Sequence, residues 1–223
     1  MDREITVKER YLSMKIYDIS QEVFSCTVFP GDPSPQKEIM MSMNDGSLYN
    51  LSALHMCAHN GTHVDAPYHF IENGKTIEQV SLEKFVGLCY VAEHDGIVTA
   101  EDATEILRKA ETASKGCPLT GDTDSASKRI LIKSNAEVSA EAARVFSDEG
   151  VLLVGNESQT VGPENAPMEV HLILLGAEVV LLEGIRLAKV PEGVYLLNAA
   201  PLNLGGADGA PCRAILLDMK KNL

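Results

Sequence analysis

Short runs of apolar residues, each bounded by turn-forming residues, recur along most of the chain. Their length and their content of valine, isoleucine and leucine are typical of β-strands, although a buried helical turn can look similar. The pattern predicts strands at residues 14–19, 37–43, 51–58, 85–92, 129–133, 151–154, 179–182, 194–197 and 213–218. Long irregular connections separate the strands of the first half.

Three further segments carry helix signals. Residues 99–110 begin with a threonine followed by acids in the first turn, and residues 139–149 begin with a serine and precede a glycine. Residues 166–175 have a proline in the first turn and also precede a glycine. The last two segments each precede a predicted strand. We therefore predict a single α/β domain over residues 1–223, with a mixed sheet flanked by helices.

The composition, 45% hydrophobic and 23% charged, is that of an ordinary globular protein. The net charge of −13 would repel a polyanion, and no basic run compensates for it. The longest apolar stretches are far shorter than the ~20 residues that span a bilayer, and the charged amino end does not resemble a signal peptide. We expect a cytoplasmic protein with no nucleic-acid or membrane partner.

The chain contains five cysteines, at Cys26, Cys57, Cys89, Cys117 and Cys212. They form no CxxC pair and their number is odd, which fits reduced thiols better than a disulfide framework. We expect most of them to be buried as small apolar side chains. None lies in a recognisable nucleophile motif, so the sequence does not support a cysteine-nucleophile hydrolase.

Four side chains that can bind metal lie within eleven positions, at His59, His63, Asp65 and His69. Imidazole and carboxylate are the ligands expected for Zn²⁺, Mn²⁺ or Fe²⁺. A helix is not expected here, because Asn60-Gly61 favours a turn and Ala66-Pro67 ends a helical run. We predict a tight loop leaving the strand at residues 51–58, which folds these side chains toward one point.

This segment resembles the signature of the cyclase family, whose best-known members are bacterial kynurenine formamidases. The matching positions are His59, Gly61, Thr62, His63, Asp65, Pro67 and His69. The resemblance continues, in the expected order, at residues 17–20, 29–32, 171, 182–185, 199–202 and 206–214. It implies a swivelling β/β/α-like fold and a metal-dependent hydrolase that cleaves carbon–nitrogen bonds other than peptide bonds.

The resemblance also implies two metal positions. His59, His63 and Asp65 would hold the first ion. Asp65 and Glu183 would bridge to the second ion, and His171 would complete that site. Zn²⁺ is the expected metal and Mn²⁺ the alternative.

The positions of the last two residues agree with this ligand set. His171 lies in a predicted helix and Glu183 just after the following strand, with a turn between them that allows them to approach. Without the resemblance, a histidine on such an apolar stretch is more often a satisfied core residue.

As the resemblance implies, His69 would be the general acid/base. The substrate would be N-formylkynurenine, cleaved to kynurenine and formate in tryptophan breakdown. The family has a tryptophan before Pro-Gly-Asp, whereas this chain has Phe29 there and contains no tryptophan. Phe29 and Tyr68 are therefore the candidate aromatic walls for an aryl ring.

Four other polar residues receive no catalytic role. We expect His55 to be buried and structural, His94 to lie in a turn at a strand end, and Cys57 to be a packed thiol. Glu157 lies where the family has a loop near the active site, and no function is assigned to it.

Two alternatives remain open from the sequence. The substrate could be another small cyclic amide or an isatin-like lactam, or the protein could bind a small molecule through its metal without catalysis. The general acid/base at His69 favours an enzyme. The resemblance further implies a homodimer or homotetramer, in which a partner chain could close the pocket.

Overall fold

The computed structural model describes residues 14–115 and 125–218. The three helices in this part of the chain are α1 Ala100–Ser114, α2 Ala140–Asp148 and α3 Met168–Gly176. The strands are β1 Lys15–Asp18, β2 Gln36–Met41, β3 Leu51–His55, β4 His63–Asp65, β5 Val86–Glu93, β6 Gly96–Val98, β7 Arg129–Lys133, β8 Ala136–Val138, β9 Leu153–Asn156, β10 Val180–Glu183, β11 Gly193–Asn198, β12 Gly209–Pro211 and β13 Ile215–Asp218.

Nine of these strands form one mixed sheet in the order β1-β13-β11-β5-β7-β9-β10-β4-β12. The central strands β5, β7, β9 and β10 are parallel, and the strands on either side of them pair antiparallel. The parallel strands are almost continuously buried, as expected where both faces are covered. The predicted α/β fold with a mixed sheet is therefore confirmed.

Every predicted strand and helix is present, with bounds shifted by a few residues. The four strands that the sequence pattern missed, β4, β6, β8 and β12, have three residues each. So short a strand produces no apolar run of its own.

The helices begin where their capping residues predict. Thr99 caps α1 through a capping box with Asp102, and the Ser139 side chain accepts a hydrogen bond from the backbone of Ala142 at the start of α2. The buried faces of the three helices share one hydrophobic core with side chains of the central strands. On α3, His171 lies on the buried face with Leu174 and Leu175, and this face brings it to the sheet.

Strands β2 and β3 form a separate antiparallel hairpin, and nearly all of its residues are exposed. The strand predicted at residues 51–58 therefore ends at His55 and does not belong to the main sheet. Among the described residues, no helix has the length and apolar character needed to cross a membrane.

Candidate metal centre

Three predicted ligands lie on two neighbouring strands of the main sheet. His63 and Asp65 are two residues apart on β4, so their side chains emerge on the same face. In the antiparallel pairing of β4 with β10, Glu183 stands directly opposite His63. The prediction of a loop for this segment is wrong at His63 and Asp65. The β10 and β12 backbones on either side of β4 hold these residues as a strand.

The fourth buried ligand, His171, reaches the same point from helix α3. Its Nε2 lies 3.6 Å from Asp65 Oδ2 and 3.4 Å from Glu183 Oε1. His63 Nε2 lies 3.4 Å from Asp65 Oδ1 and 3.5 Å from Glu183 Oε2. All four side chains are almost completely buried. The predicted approach of His171 and Glu183 to the histidine segment is therefore present in the structure.

The spacing of these atoms fits a shared cation. The four nitrogen–oxygen separations of 3.4–3.6 Å exceed the usual 2.7–3.2 Å of a hydrogen bond. Two ligand atoms that each lie about 2.1 Å from one ion at a tetrahedral angle are about 3.4 Å apart. Among the described residues, the donor atoms form three groups close enough to hold an ion, namely His59, His63 and Asp65; Asp65, His171 and Glu183; and His59, His69 and Asp208. The first two groups share Asp65.

Backbone contacts fix which ring nitrogen faces the centre. His63 Nδ1 lies 3.1 Å from the Gly61 carbonyl oxygen, and His171 Nδ1 lies 2.8 Å from the Pro167 carbonyl oxygen. Because a carbonyl oxygen only accepts, each Nδ1 donates, and each Nε2 is the nitrogen that faces the carboxylates and is available to a metal. The backbone N–H of Val161 donates to Glu183 Oε1 at 2.8 Å.

The electrostatics also favour a cation at this position. Burial would lower the pKa of His171, but the hydrogen bond and charge of Glu183, together with the charge of Asp65, raise it to about 9. Burial would raise the pKa of Asp65, but His59 holds it well below its usual range. In the described part of the chain, neither Asp65 nor Glu183 forms an ion pair with lysine or arginine. Buried negative charge of this kind requires a compensating positive charge.

His59 lies at the outer edge of this buried set, in the turn after β3. Its Nδ1 is 2.9 Å from Asp65 Oδ1, and its Nε2 is 2.9 Å from Asp208 Oδ2. Burial would lower the pKa of His59, but the two carboxylates raise it to about 11. The hydrogen bond from His59 lowers the pKa of Asp208 to about 2. His59 therefore connects the buried carboxylate Asp65 to the half-exposed carboxylate Asp208.

Asp208 also contacts the predicted general acid/base. His69 Nδ1 lies 3.2 Å from Asp208 Oδ2, and the rings of His59 and His69 stack with centroids 4.0 Å apart. His69 ends a short 3-10 turn, Pro67–His69, and its side chain is 28% exposed. Burial is the main reason that its pKa is lowered. Asp208 has no predicted role, although it lies in segment 206–214 that carries the family resemblance.

Comparison with known proteins agrees with this geometry. Residues 12–163 match the Cyclase family model, described as "Putative cyclase". The chain belongs to the cyclase family. It is 32% identical to a kynurenine formamidase of Erythrobacter litoralis over 207 residues, which cover 92% of this chain and 94% of that protein. It is 33% identical to a kynurenine formamidase of Salinibacter ruber over 222 residues, which cover 92% and 98% of the two chains.

Solved structures of the cyclase family have the same fold. A "predicted metal-dependent hydrolase" from Bacillus stearothermophilus is 28% identical, with a TM-score of 0.72, and the match covers 92% of this chain and 99% of that one. Isatin hydrolase A from Labrenzia aggregata is 21% identical, with a TM-score of 0.75, over 93% of this chain and 94% of the other. The second likeness concerns the fold alone. Together with the ligand groups that share Asp65, the likeness to the metal-dependent hydrolase from Bacillus stearothermophilus indicates a divalent metal in this cyclase-family chain.

The two aromatic residues predicted to bind substrate lie on separate loops. Phe29 is half-buried and lines a cavity of about 120 Å³ together with residues 157–160 and Glu164. Tyr68 precedes His69 and is exposed at its ring. The structure places both residues on loops of the cyclase-family fold, and their contact with a substrate stays a prediction.

The remaining candidates are not ligands of this centre. The prediction of a buried His55 is wrong, because the side chain is exposed and its Nε2 lies 3.3 Å from Glu38 Oε2. His94 lies between β5 and β6, as predicted, with its Nε2 3.1 Å from the Ile97 carbonyl oxygen. The Glu157 carboxylate accepts hydrogen bonds from the backbone N–H groups of Ser134 and Leu187, so it joins loops together.

The cysteines are less buried than the sequence analysis expects. Cys89 lies in the core, whereas Cys26, Cys57 and Cys212 are half-buried free thiols. Burial raises the pKa of the Cys57 thiol, and its Sγ lies 3.8 Å from Asp32 Oδ2. A thiol with a raised pKa and a carboxylate neighbour is a poor nucleophile. Cys117 lies outside the described residues.

Proposed function

We propose that this protein is a metal-dependent amide hydrolase that cleaves a small arylformamide. The single observation that carries the proposal is the convergence of His171 and Glu183 on His63 and Asp65, four buried side chains from three separate elements. The kynurenine formamidases that are 32% and 33% identical over most of the chain support the reaction class.

The proposed centre holds two ions per chain. His59, His63 and Asp65 would hold one, and Asp65, His171 and Glu183 the other, because these are the two groups of mutually close ligand atoms that share the buried carboxylate of Asp65. Zn²⁺ suits this set of imidazoles and carboxylates, and Mn²⁺ is the alternative. A divalent cation at this position supplies Lewis-acid polarisation of an amide carbonyl and lowers the pKa of water from 15.7 to about 7.

His69 is the proposed general acid/base. Because its Nδ1 faces Asp208, its Nε2 is the nitrogen available to a reacting group. Nε2 accepts a proton as the water oxygen bonds to the formyl carbon. It returns that proton to the amide nitrogen as the carbon–nitrogen bond breaks, so the products are formate and an amine. Proton transfer of this kind contributes 10²–10⁴-fold to a rate, and an amide needs it because its nitrogen is a poor leaving group.

The proposed substrate is N-formylkynurenine, which would place the protein in tryptophan catabolism. Phe29, on the wall of a cavity, and Tyr68, beside His69, supply aromatic surface for stacking an aryl ring.

The experiment begins with elemental analysis of the purified protein. The metal is then removed, Zn²⁺ and Mn²⁺ are restored separately, and hydrolysis of N-formylkynurenine is followed beside isatin and a simple lactam. We expect turnover of the formamide that depends on metal. Turnover of isatin alone would overturn the substrate, and metal-loaded protein that hydrolyses none of the three would overturn the proposed function.

We also propose that the protein is a cytoplasmic homo-oligomer, a dimer or a tetramer. The half-buried free thiols are consistent with a reducing compartment. An isolated two-stranded ladder is marginally stable in water, yet hairpin β2–β3 exposes large apolar side chains, including Ile39, Leu48 and Leu54. A second copy of this chain would cover them. Light scattering of the wild type and of Leu48→Glu measures the assembly, and a monomeric wild type would contradict it.

A further inference from the structure

We propose that Asp208 is a positioning residue that fixes the ring of His69 for proton transfer and joins it to the metal ligand His59. The inference rests on the proposed function, because it takes His69 as the general acid/base. It adds a carboxylate that belongs to neither of the two ligand groups that share Asp65, and that lies with His59 and His69 in a third group of similar spacing.

One oxygen atom of Asp208 serves both histidines. Oδ2 lies 2.9 Å from His59 Nε2 and 3.2 Å from His69 Nδ1. An ionised carboxylate can only accept hydrogen bonds, so each of these ring nitrogens must carry a proton. His69 in its neutral form therefore has its lone pair on Nε2, the atom that reacts. Because both rings contact this shared acceptor, it holds them in their stacked arrangement, with an interplanar angle of 27°.

Asp208 differs from the four buried side chains in its distances. It lies at hydrogen-bond length from both histidines, whereas the nitrogen–oxygen separations among His63, Asp65, His171 and Glu183 are 3.4–3.6 Å. His59 lies between the two sets, 2.9 Å from each carboxylate. His59 presents Nδ1 to Asp65 and the opposite nitrogen, Nε2, to Asp208. A carboxylate that accepts from the far nitrogen of a ligating histidine orients that ligand and raises its basicity. Asp208 is also 42% exposed at its side chain, unlike Asp65 at 1%.

The backbone around Asp208 is fixed from both sides. Its carbonyl oxygen accepts a hydrogen bond from the Ala66 N–H at 2.9 Å, and the preceding carbonyl, of Ala207, accepts from the Ile77 N–H at 2.9 Å. The next residue, Gly209, begins β12, and a Cβ there would lie 2.8 Å from His59 Cε1. The strand therefore packs against the His59 ring, and the Asp208 carboxylate is placed before substrate arrives.

The test is a double-mutant cycle on Asp208→Ala and His69→Asn, assayed with N-formylkynurenine at saturating metal. Asp208→Ala is expected to lower kcat by about 10²-fold with little change in KM, since a carboxylate that orients a histidine of the site contributes about 10–100-fold. In the His69→Asn background, the same change is expected to cost less than about 2-fold, because a residue that acts through His69 has nothing left to position. Metal content is expected to stay equal to that of the wild type.

Asp18→Ala is the matched control. Asp18 has a side-chain exposure of 45%, close to that of Asp208, and it also serves as a hydrogen-bond acceptor, for Arg213. In the described part of the chain, the hydrogen bonds and the ion pair of its carboxylate are with Ser20 and Arg213, and with neither residue of the cycle. We expect this variant to keep kcat, KM and metal content.

A second readout does not depend on activity. In ¹⁵N spectra of the imidazole rings, the wild type is expected to show His69 protonated at Nδ1, and Asp208→Ala to lose this fixed tautomer. A wild type that hydrolyses no amide refutes the proposed function, while the spectra still decide the positioning role. Three results would overturn the inference: full kcat in Asp208→Ala, independent losses in the double variant, or loss of a bound ion at saturating metal.

Discussion

The centre has two regions that differ in how the chain supports them. His63, Asp65, His171 and Glu183 lie on strands and a helix, and all four are almost completely buried. His59, His69 and Asp208 lie on turns at the edge of the sheet and are 15%, 28% and 42% exposed at their side chains. Strands and a helix hold the buried imidazole and carboxylate groups rigidly, whereas turns place the other three side chains where solvent and substrate can reach them. In the proposed mechanism the buried region binds metal, His69 and Asp208 serve proton transfer, and His59 belongs to both because it contacts Asp65 and Asp208.

The largest effect is expected from Asp65→Asn. Asp65 Oδ1 faces His59 and His63, and Oδ2 faces His171, so this change removes charge from both ligand groups. We expect elemental analysis to find little bound metal and the hydrolysis rate to fall to background. Asp45→Asn, in an exposed turn, is the control. An Asp65→Asn protein that retains two ions per chain would contradict the ligand assignment.

Removal of the metal tests the buried region as a whole. A chelator should leave the carboxylates of Asp65 and Glu183 without a cation, and the folded state should lose stability. Restoring an ion at 100 times its Kd should recover about 2.7 kcal/mol, measured by calorimetry, because binding to the folded state alone stabilises it by mass action. If the melting temperature is the same with and without metal, the buried set does not hold an ion.

The exposed region gives a different expected result. His69→Asn should keep its metal and lower kcat by about 10²–10⁴-fold, because only proton transfer is removed. Kinetics and elemental analysis on the same preparation measure both quantities. Loss of metal equal to that in Asp65→Asn would remove the distinction between the two regions.

The smallest effect is expected on stability, at Gly209 of β12, which packs against the His59 ring. At Gly209, an added Cβ would lie 2.6 Å from the Val64 carbonyl oxygen and 2.8 Å from His59 Cε1. Gly209→Ala should therefore destabilise the protein by about 1–3 kcal/mol, as overpacking does. Denaturant unfolding measures this loss against Gly205→Ala, where a Cβ meets nothing within 4 Å. Equal stability of the two variants would show that β12 can move away from His59.

Much of the candidate metal site could be predicted from the sequence, because four of its metal-binding residue types lie within one short segment. His59, His63, Asp65 and His69 lie close together in the chain, and the family resemblance added His171 and Glu183. Helices α1 and α2 were predictable because a threonine and a serine cap precede amphipathic segments, and α3 because a proline stands at its start. A local sequence pattern predicts an element or a site well where the residues that determine it are near one another in the chain.

The sequence predictions failed where a residue's structure depends on contacts with residues that are distant in the chain. Residues 63–65 look like part of a loop, and only pairing with β10 and β12 makes them a strand. His55 looks like a neighbour of the site, but the hairpin carries it away from the sheet. Asp208 looks like an ordinary turn residue before a glycine, because its two histidine partners are far from it in the sequence.

The pairing of β4 with β12 has a consequence for biosynthesis. His59 and Asp208 are 149 positions apart, so the amino-terminal ligands leave the ribosome long before the strand that completes their surroundings. Closing so large a loop costs entropy that is regained only when the last strands dock. A nascent chain therefore contains the amino-terminal histidines before their binding site is complete. We therefore expect the ion to bind only when the fold is complete, and a truncated chain to lack it.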